Sequence, residues 1–119
     1  VKSIIFRGEA SGHVVLFLTA GGNRVSPEKA SRVAGQPLGK ADADLVRAET
    51  GFAIGGVAPV GHLMPVPTYF DPRLLDFPSV WGAAGTPRHI FPIAPEVLLR
   101  ITGATVADFT EAPAPASGA

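Results

Sequence analysis

Lys2–Ala20, KSIIFRGEASGHVVLFLTA, is the stretch on which the architecture of this chain turns. Two runs of β-branched and aromatic residues, Lys2–Arg7 and His13–Ala20, have strand length and are separated by the turn Gly8–Gly12. Their near-continuous apolarity, in place of strict alternation, predicts strands covered on both faces. Gly21-Gly22-Asn23 then marks a tight turn. Ser26-Pro27-Glu28 has the order of a helix start. The serine oxygen can accept a first-turn N–H, proline at the first helical position loses no bond, and the acid meets the positive end of the helix dipole. That helix should stop at Gly35.

Working outward, a second helix is expected from near Asp42 to Gly51, with Leu45, Val46 and Ala48 facing inward. Met64–Phe70 reads as a strand, pushed to a sheet edge by Pro65 and Pro67, which cannot donate to a ladder. Val80–Ala84 and His89–Ile93 are further short strands. Pro95-Glu96 opens a third helix, with Val97, Leu98 and Ile101 at helical spacing before Gly103. Its start is weak, because Ala94 carries no capping oxygen. Thr105–Phe109 is the last strand. Pro113–Ala119 (PAPASGA) has nothing to bury and should be disordered. The expectation is one domain over residues 1–111 and a tail over 112–119. Strands and helices do not alternate one for one, which favours a mixed α+β sheet over a Rossmann arrangement. The chain opens on Val1 inside a strand-like run, so a segment upstream of it is expected.

Composition narrows the function classes. At 119 residues there is room for one small core, with roughly two-thirds of the unfolded surface buried. Ten basic and ten acidic residues cancel. Nucleic-acid binding through bulk charge is thereby disfavoured, although a protein touching only the end of a nucleic acid escapes the objection. The absence of cysteine excludes disulfides, zinc–thiolate sites and a cysteine nucleophile. Apolar runs such as Val14–Leu18 are too short to span a membrane, and no signal peptide is visible, so a cytoplasmic location is the default.

Gly51–Gly61, GFAIGGVAPVG, is the candidate site. Its side chains can do no chemistry, but its glycines can bring backbone N–H and C=O groups close to a ligand. By spacing alone it reads equally as a loop between a helix and a strand. It is not G-x-G-x-x-G, and Gly39-Lys40 is followed by Ala41, so neither a dinucleotide fingerprint nor a P-loop is present. His13, His62 and His89 lack metal spacing, no G-x-S-x-G elbow occurs, and no metal or other cofactor is expected. What remains is isolated polar residues. By residue type Lys2 is a solvated strand-end lysine or one pointing into a cleft. His89 is a half-exposed strand histidine, Asp71 before Pro72 is a turn aspartate, and Thr50 finishes a helix.

Taken in order, these residues resemble the YbaK-like aminoacyl-tRNA deacylases, the family that includes the editing domain of bacterial prolyl-tRNA synthetases. The resemblance runs through Lys2-Ser3-Ile4-Ile5-Phe6, Thr50-Gly51-Phe52, Gly55-Gly56-Val57-Ala58-Pro59-Val60-Gly61-His62, Pro67 to Asp71, Ala84-Gly85-Thr86-Pro87-Arg88-His89 and Leu98 to Ala104. It implies a compact α+β domain with a curved, barrel-like mixed sheet and flanking helices. It also implies hydrolysis of the ester joining a wrong amino acid to the 3′ end of a tRNA. Lys2 would correspond to the essential lysine, and His89 would fall near a histidine used by some members. Gly55, Gly56, Val57, Ala58 and Pro59 would match the loop that holds the terminal adenosine and the aminoacyl group. The matched motifs add Thr50, Gly51, Gly61, Asp71 and Gly85 to the substrate-binding set.

An aminoacyl ester is already activated, so an enzyme of this kind needs no covalent nucleophile. Backbone N–H groups of the loop and the Lys2 ammonium suit the developing oxyanion, and the ribose 2′-OH could assist proton transfer. Small loop side chains at Val57 and Ala58 suggest a small substrate such as alanine, cysteine, serine or 2-aminobutyrate. The implied partners are the acceptor end of tRNA(Pro) and prolyl-tRNA synthetase. The alternative from another class is a binding module of the same fold that grips tRNA ends or a synthetase without hydrolysis.

Overall fold

The computed structural model describes residues 1–83 and 90–111. The opening hairpin forms as predicted. Strand β1 (Lys2–Gly8) pairs antiparallel with β2 (Val14–Thr19), with Lys2 opposite Thr19 and Arg7 opposite Val14. Strand β3 (Leu38–Lys40) lies antiparallel on the other side of β1. Strand β4 (Thr68–Phe70) runs parallel to β2, and β7 (Thr105–Val106) runs parallel to β4. The sheet order is β3-β1-β2-β4-β7, and β5 (Val80–Ala83) and β6 (Ile90–Ile93) form a separate antiparallel pair. Helices α1 (Pro27–Ala34), α2 (Ala43–Thr50) and α3 (Pro95–Thr102) and one 3-10 helix, Pro72–Asp76, complete the described elements. The α+β expectation holds, but the described strands form an open sheet and a separate pair, with no closed barrel.

β2 is the centre of the molecule. Side chains alternate across a strand, and here both sets are covered. Leu16 and Leu18 join Phe70, Leu74, Val80 and Leu98 on one face. Val15 and Phe17 meet Ala30 of α1 and Phe109 on the other. All six residues of β2 are buried, whereas β1 is only half-buried.

Each helix is closed by the glycine expected for it. Gly35, Gly51 and Gly103 all have positive φ, and their N–H groups bond back to the preceding turn. Ser26 Oγ accepts from Lys29 N as an N-cap, while Ala94 makes no side-chain cap bond. Four expectations need correction. Met64–Phe70 is a strand only over its last three residues, and it lies inside the sheet. Pro65 and Pro67 precede it, and Pro67 contributes its carbonyl, which accepts from Leu16 N at 2.9 Å. Ala48 is exposed, and Glu49 and Thr50 take the buried positions, because residues three and four after buried Val46 share its face. Ile101 is 48% exposed and belongs to a cleft wall. The last strand stops at Val106, after which Phe109 turns into the core against Phe17, with ring centroids 4.8 Å apart. Residues 84–89 and 112–119, including the strand ends Ala84 and His89 and the tail expectation, lie outside the described residues.

Candidate functional site

The glycine loop begins where α2 ends. Gly51 has φ 83° and donates to Arg47 O. Thr50 does finish the helix: its hydroxyl donates to Val46 O at 2.7 Å and accepts from Phe52 N at 3.1 Å. Gly55 and Gly61 also have positive φ, 86° and 81°, the left-handed conformation that glycine adopts without a Cβ penalty. Between them, Gly56, Val57, Ala58 and Pro59 are buried. Val57 packs with Val14, Ala41 and Val46, so its side chain is part of the core and does not line the cleft.

The last three residues of the loop, Pro59–Gly61, border a cleft of about 440 Å³. Pro59 to Val66, Thr68, and Ile101 and Thr102 of α3 line it. Among the described residues His62 is the one titratable side chain in that lining. Its Nε2 lies 2.7 Å from Ala58 O, and its ring stands edge-on to Phe52 with centroids 6.1 Å apart. Leu63, 72% exposed, and Met64 make the rim apolar.

Lys2 and Asp71 lie in a second polar group. Lys2 Nζ donates to Asn23 O at 2.6 Å. Asn23 Nδ2 donates to Asp71 Oδ2 at 2.9 Å, and the same oxygen accepts from Ala20 N at 3.1 Å. Asp71 Oδ1 takes Arg73 N at 3.0 Å as the N-cap of the 3-10 helix. Asp71 is therefore a turn aspartate, as its residue type suggests, and one that is 1% exposed with three donors on it. Lys2 alternates with Ile4 and Phe6, which face α1, whereas Ile5 packs toward Val57 and Val66. Thr68 on the cleft wall pairs with Leu16, and Thr19, which faces Lys2, is three residues further, ~10 Å at about 3.3 Å per residue.

The structure thus gathers Thr50, Gly51, Gly55, Gly56, Val57, Ala58, Pro59 and Gly61 into one loop, and it joins Lys2 to Asp71 through Asn23. It does not bring those two groups together. Gly85 and His89 lie outside the described residues. Two residues escaped the sequence reading as site candidates. His62 follows Gly61 in the loop motif and was visible there, but only its bond to Ala58 distinguishes it. Asn23 reads as an ordinary turn residue until its partners are known. Among the described residues no group of three His, Asp or Glu side chains could hold a metal ion, and no helix is long and apolar enough to cross a membrane.

An open mixed sheet, three short helices and a cleft at the end of a glycine loop define an α+β domain. The chain belongs to the aminoacyl-tRNA editing domain family, whose model matches residues 1–101. It is 31% identical over 97 residues to the uncharacterized protein YwhH of Bacillus subtilis, an alignment covering 82% of this chain and 61% of that protein. The chain therefore spans about three-fifths of the curated relative it matches. Among solved structures it is similar to one described as a "putative trans-editing enzyme for prolyl tRNA synthetase", with 53% identity and a TM-score of 0.87, covering 94% of this chain and 70% of that one. The hypothetical protein APE2540 is 32% identical with a TM-score of 0.82, covering 93% of this chain and 73% of that one.

Proposed function

We propose that this chain hydrolyses the ester of a mischarged aminoacyl-tRNA, removing a small amino acid from tRNA(Pro) in trans, in the cytoplasm and alongside prolyl-tRNA synthetase. The observation that carries the reading is the cleft beside Pro59–Gly61, whose lining among the described residues holds no carboxylate, cysteine or serine. Such a site can polarise an ester that is already activated without a carboxylate, cysteine or serine nucleophile. The 53% identity to a structure described as a "putative trans-editing enzyme for prolyl tRNA synthetase" supports the choice of tRNA. The aminoacyl group would sit in the cleft with the loop backbone on its carbonyl. Lys2 makes no ion pair among the described residues, so its charge is available to the reaction or to the tRNA end. Gly85 and His89 complete the proposed set.

A second reading, binding of a tRNA end without hydrolysis, is favoured by one observation: Lys2 Nζ is held on Asn23 O, away from the cleft. Deacylation of Ala-, Cys- and Ser-tRNA(Pro), by the full-length protein and by Lys2→Ala, separates the two. Clearance of one ester, lost in a folded Lys2→Ala, supports the hydrolase. Tight binding of the same tRNAs with only spontaneous ester loss supports the module.

A further inference from the structure

The cleft contains a proton acceptor that sequence reading leaves unassigned. We propose that His62 is the general base of the reaction, taking a proton from the hydrolytic water at Nδ1 while Nε2 anchors the glycine loop. This inference rests on the hydrolase reading and supplies the base which that reading lacks.

His62 Nε2 lies 2.7 Å from Ala58 O. A carbonyl can only accept, so Nε2 carries the hydrogen, and in the neutral ring Nδ1 holds the lone pair. The bond to Ala58 is the ring's one hydrogen bond among the described residues. A single residue therefore fixes the loop, its own tautomer and its own orientation. The third group that usually orients a catalytic histidine is here the main chain of the loop that would hold the ester. Phe52, standing edge-on, limits ring rotation from the other side.

Among the described residues nothing charged in the cleft lining competes with it. The lining also includes Thr68, Ile101 and Thr102. On α2, Glu49 has its two oxygens taken by His13 Nδ1 at 2.8 Å and Val14 N at 3.0 Å. Arg47 and Arg100, on the adjoining helices, are exposed and absent from the cleft lining.

The step balances without any cofactor. Water oxygen bonds to the ester carbonyl carbon as its proton passes to Nδ1, and the carbonyl electron pair moves onto the oxyanion. When the oxyanion collapses, the bond from that carbon to the ribose oxygen breaks. The leaving oxygen takes the proton from Nδ1, giving free amino acid and an uncharged tRNA terminus.

The test is the pH profile of single-turnover deacylation by wild type, His62→Gln and His62→Ala, with the tautomer read from imidazole nitrogen-15 shifts. Glutamine can place its amide N–H near the position of Nε2 and keep the loop bond, but it offers no basic acceptor. The wild-type rate should fall at low pH as the imidazole protonates, and the nitrogen shifts should report an Nε2–H ring. His62→Gln should lose about 10²–10⁴-fold in kcat, the usual contribution of a general base, and should lose that acid limb while binding tRNA normally. If His62→Gln keeps the wild-type rate and pH profile while His62→Ala is slow, the imidazole only pins the loop and the proposal falls. A ring found as the Nδ1–H tautomer also overturns it. If the wild-type protein clears no ester at any pH, the hydrolase reading itself has failed and this inference fails with it.

Discussion

Asp71 Oδ2 bridges both ends of one turn, accepting from Asn23 Nδ2 at 2.9 Å and from Ala20 N at 3.1 Å. The turn is also closed internally by Asn23 N on Ala20 O at 2.9 Å. The carbonyl on which Lys2 rests is thus fixed by a carboxylate 48 residues away in sequence from Asn23. Replacing Asp71 with alanine removes the acceptor for three donors, and an unsatisfied buried donor typically costs about 1–3 kcal/mol. Asp71→Ala should lower stability by about 2–4 kcal/mol, read from urea unfolding. Asn23→Ala, with the carboxylate left in place, should cost about 1 kcal/mol.

Glu49 makes a comparable tie between α2 and the start of β2. Its carboxylate is on a residue 7% exposed, while the imidazole partner on His13 is 58% exposed. Exposed pairs contribute about 0–1 kcal/mol, whereas orphaning the Val14 N–H costs about 1–3 kcal/mol. Glu49→Ala should therefore destabilise clearly, Glu49→Gln less because its amide oxygen still reaches Val14, and His13→Ala hardly at all. Thermal melts of the three variants check the ranking. Equal shifts for His13→Ala and Glu49→Ala would show that the ion pair, and not the buried N–H, carries the tie.

Two glycines of the loop should respond differently to alanine. A Cβ on Gly55, φ 86°, meets nothing within 4 Å, so Gly55→Ala should show only the left-handed backbone penalty, about 1–2 kcal/mol. A Cβ on Gly51, φ 83°, comes 3.0 Å from Leu63 Cγ, so Gly51→Ala bears the same penalty and also displaces a cleft-rim side chain. Its stability loss should exceed that of Gly55→Ala, and its KM for aminoacyl-tRNA should rise. Urea unfolding and steady-state kinetics of both variants measure the contrast.

Lys2 is exposed and its ammonium has a single main-chain partner. Lys2→Ala should leave the melting temperature within a degree or two and lower kcat/KM for deacylation chiefly through a higher KM, since Lys2 stands away from the cleft and would grip the tRNA end. With ten basic and ten acidic residues the chain has little bulk attraction for RNA. If Lys2 is the one phosphate contact at the acceptor end, the slope of log K against log salt should be about −0.7. Titrations across a salt series would read it, and a slope several times steeper would place further lysines or arginines on the RNA.

Helix boundaries were the most legible part of the chain, because their signals are local. Ser26-Pro27, Asp42 and the three terminal glycines act on neighbouring N–H and C=O groups, and all behave as read. Sheet order was not legible in the same way. Thr68–Phe70 is an interior strand because Pro67 still offers its carbonyl to Leu16, a fact about a partner 51 residues away. Leu38–Lys40 (LGK) has no strand pattern of its own and is extended because β1 pairs with it.

Residue types alone determined a small α+β domain without disulfides or a cysteine nucleophile, its helix ends, a β2 buried on both faces, and a glycine loop with nothing but backbone to offer. These follow from covalent properties and short-range bonds that travel with the sequence. Only the tertiary structure decided that Asp71 clamps the turn beneath Lys2, that Val57 belongs to the core, and that His62 is, among the described residues, the one titratable side chain lining the cleft. Each depends on groups brought together by packing, and a side chain's chemistry is set by the partner that meets it, which no local pattern specifies.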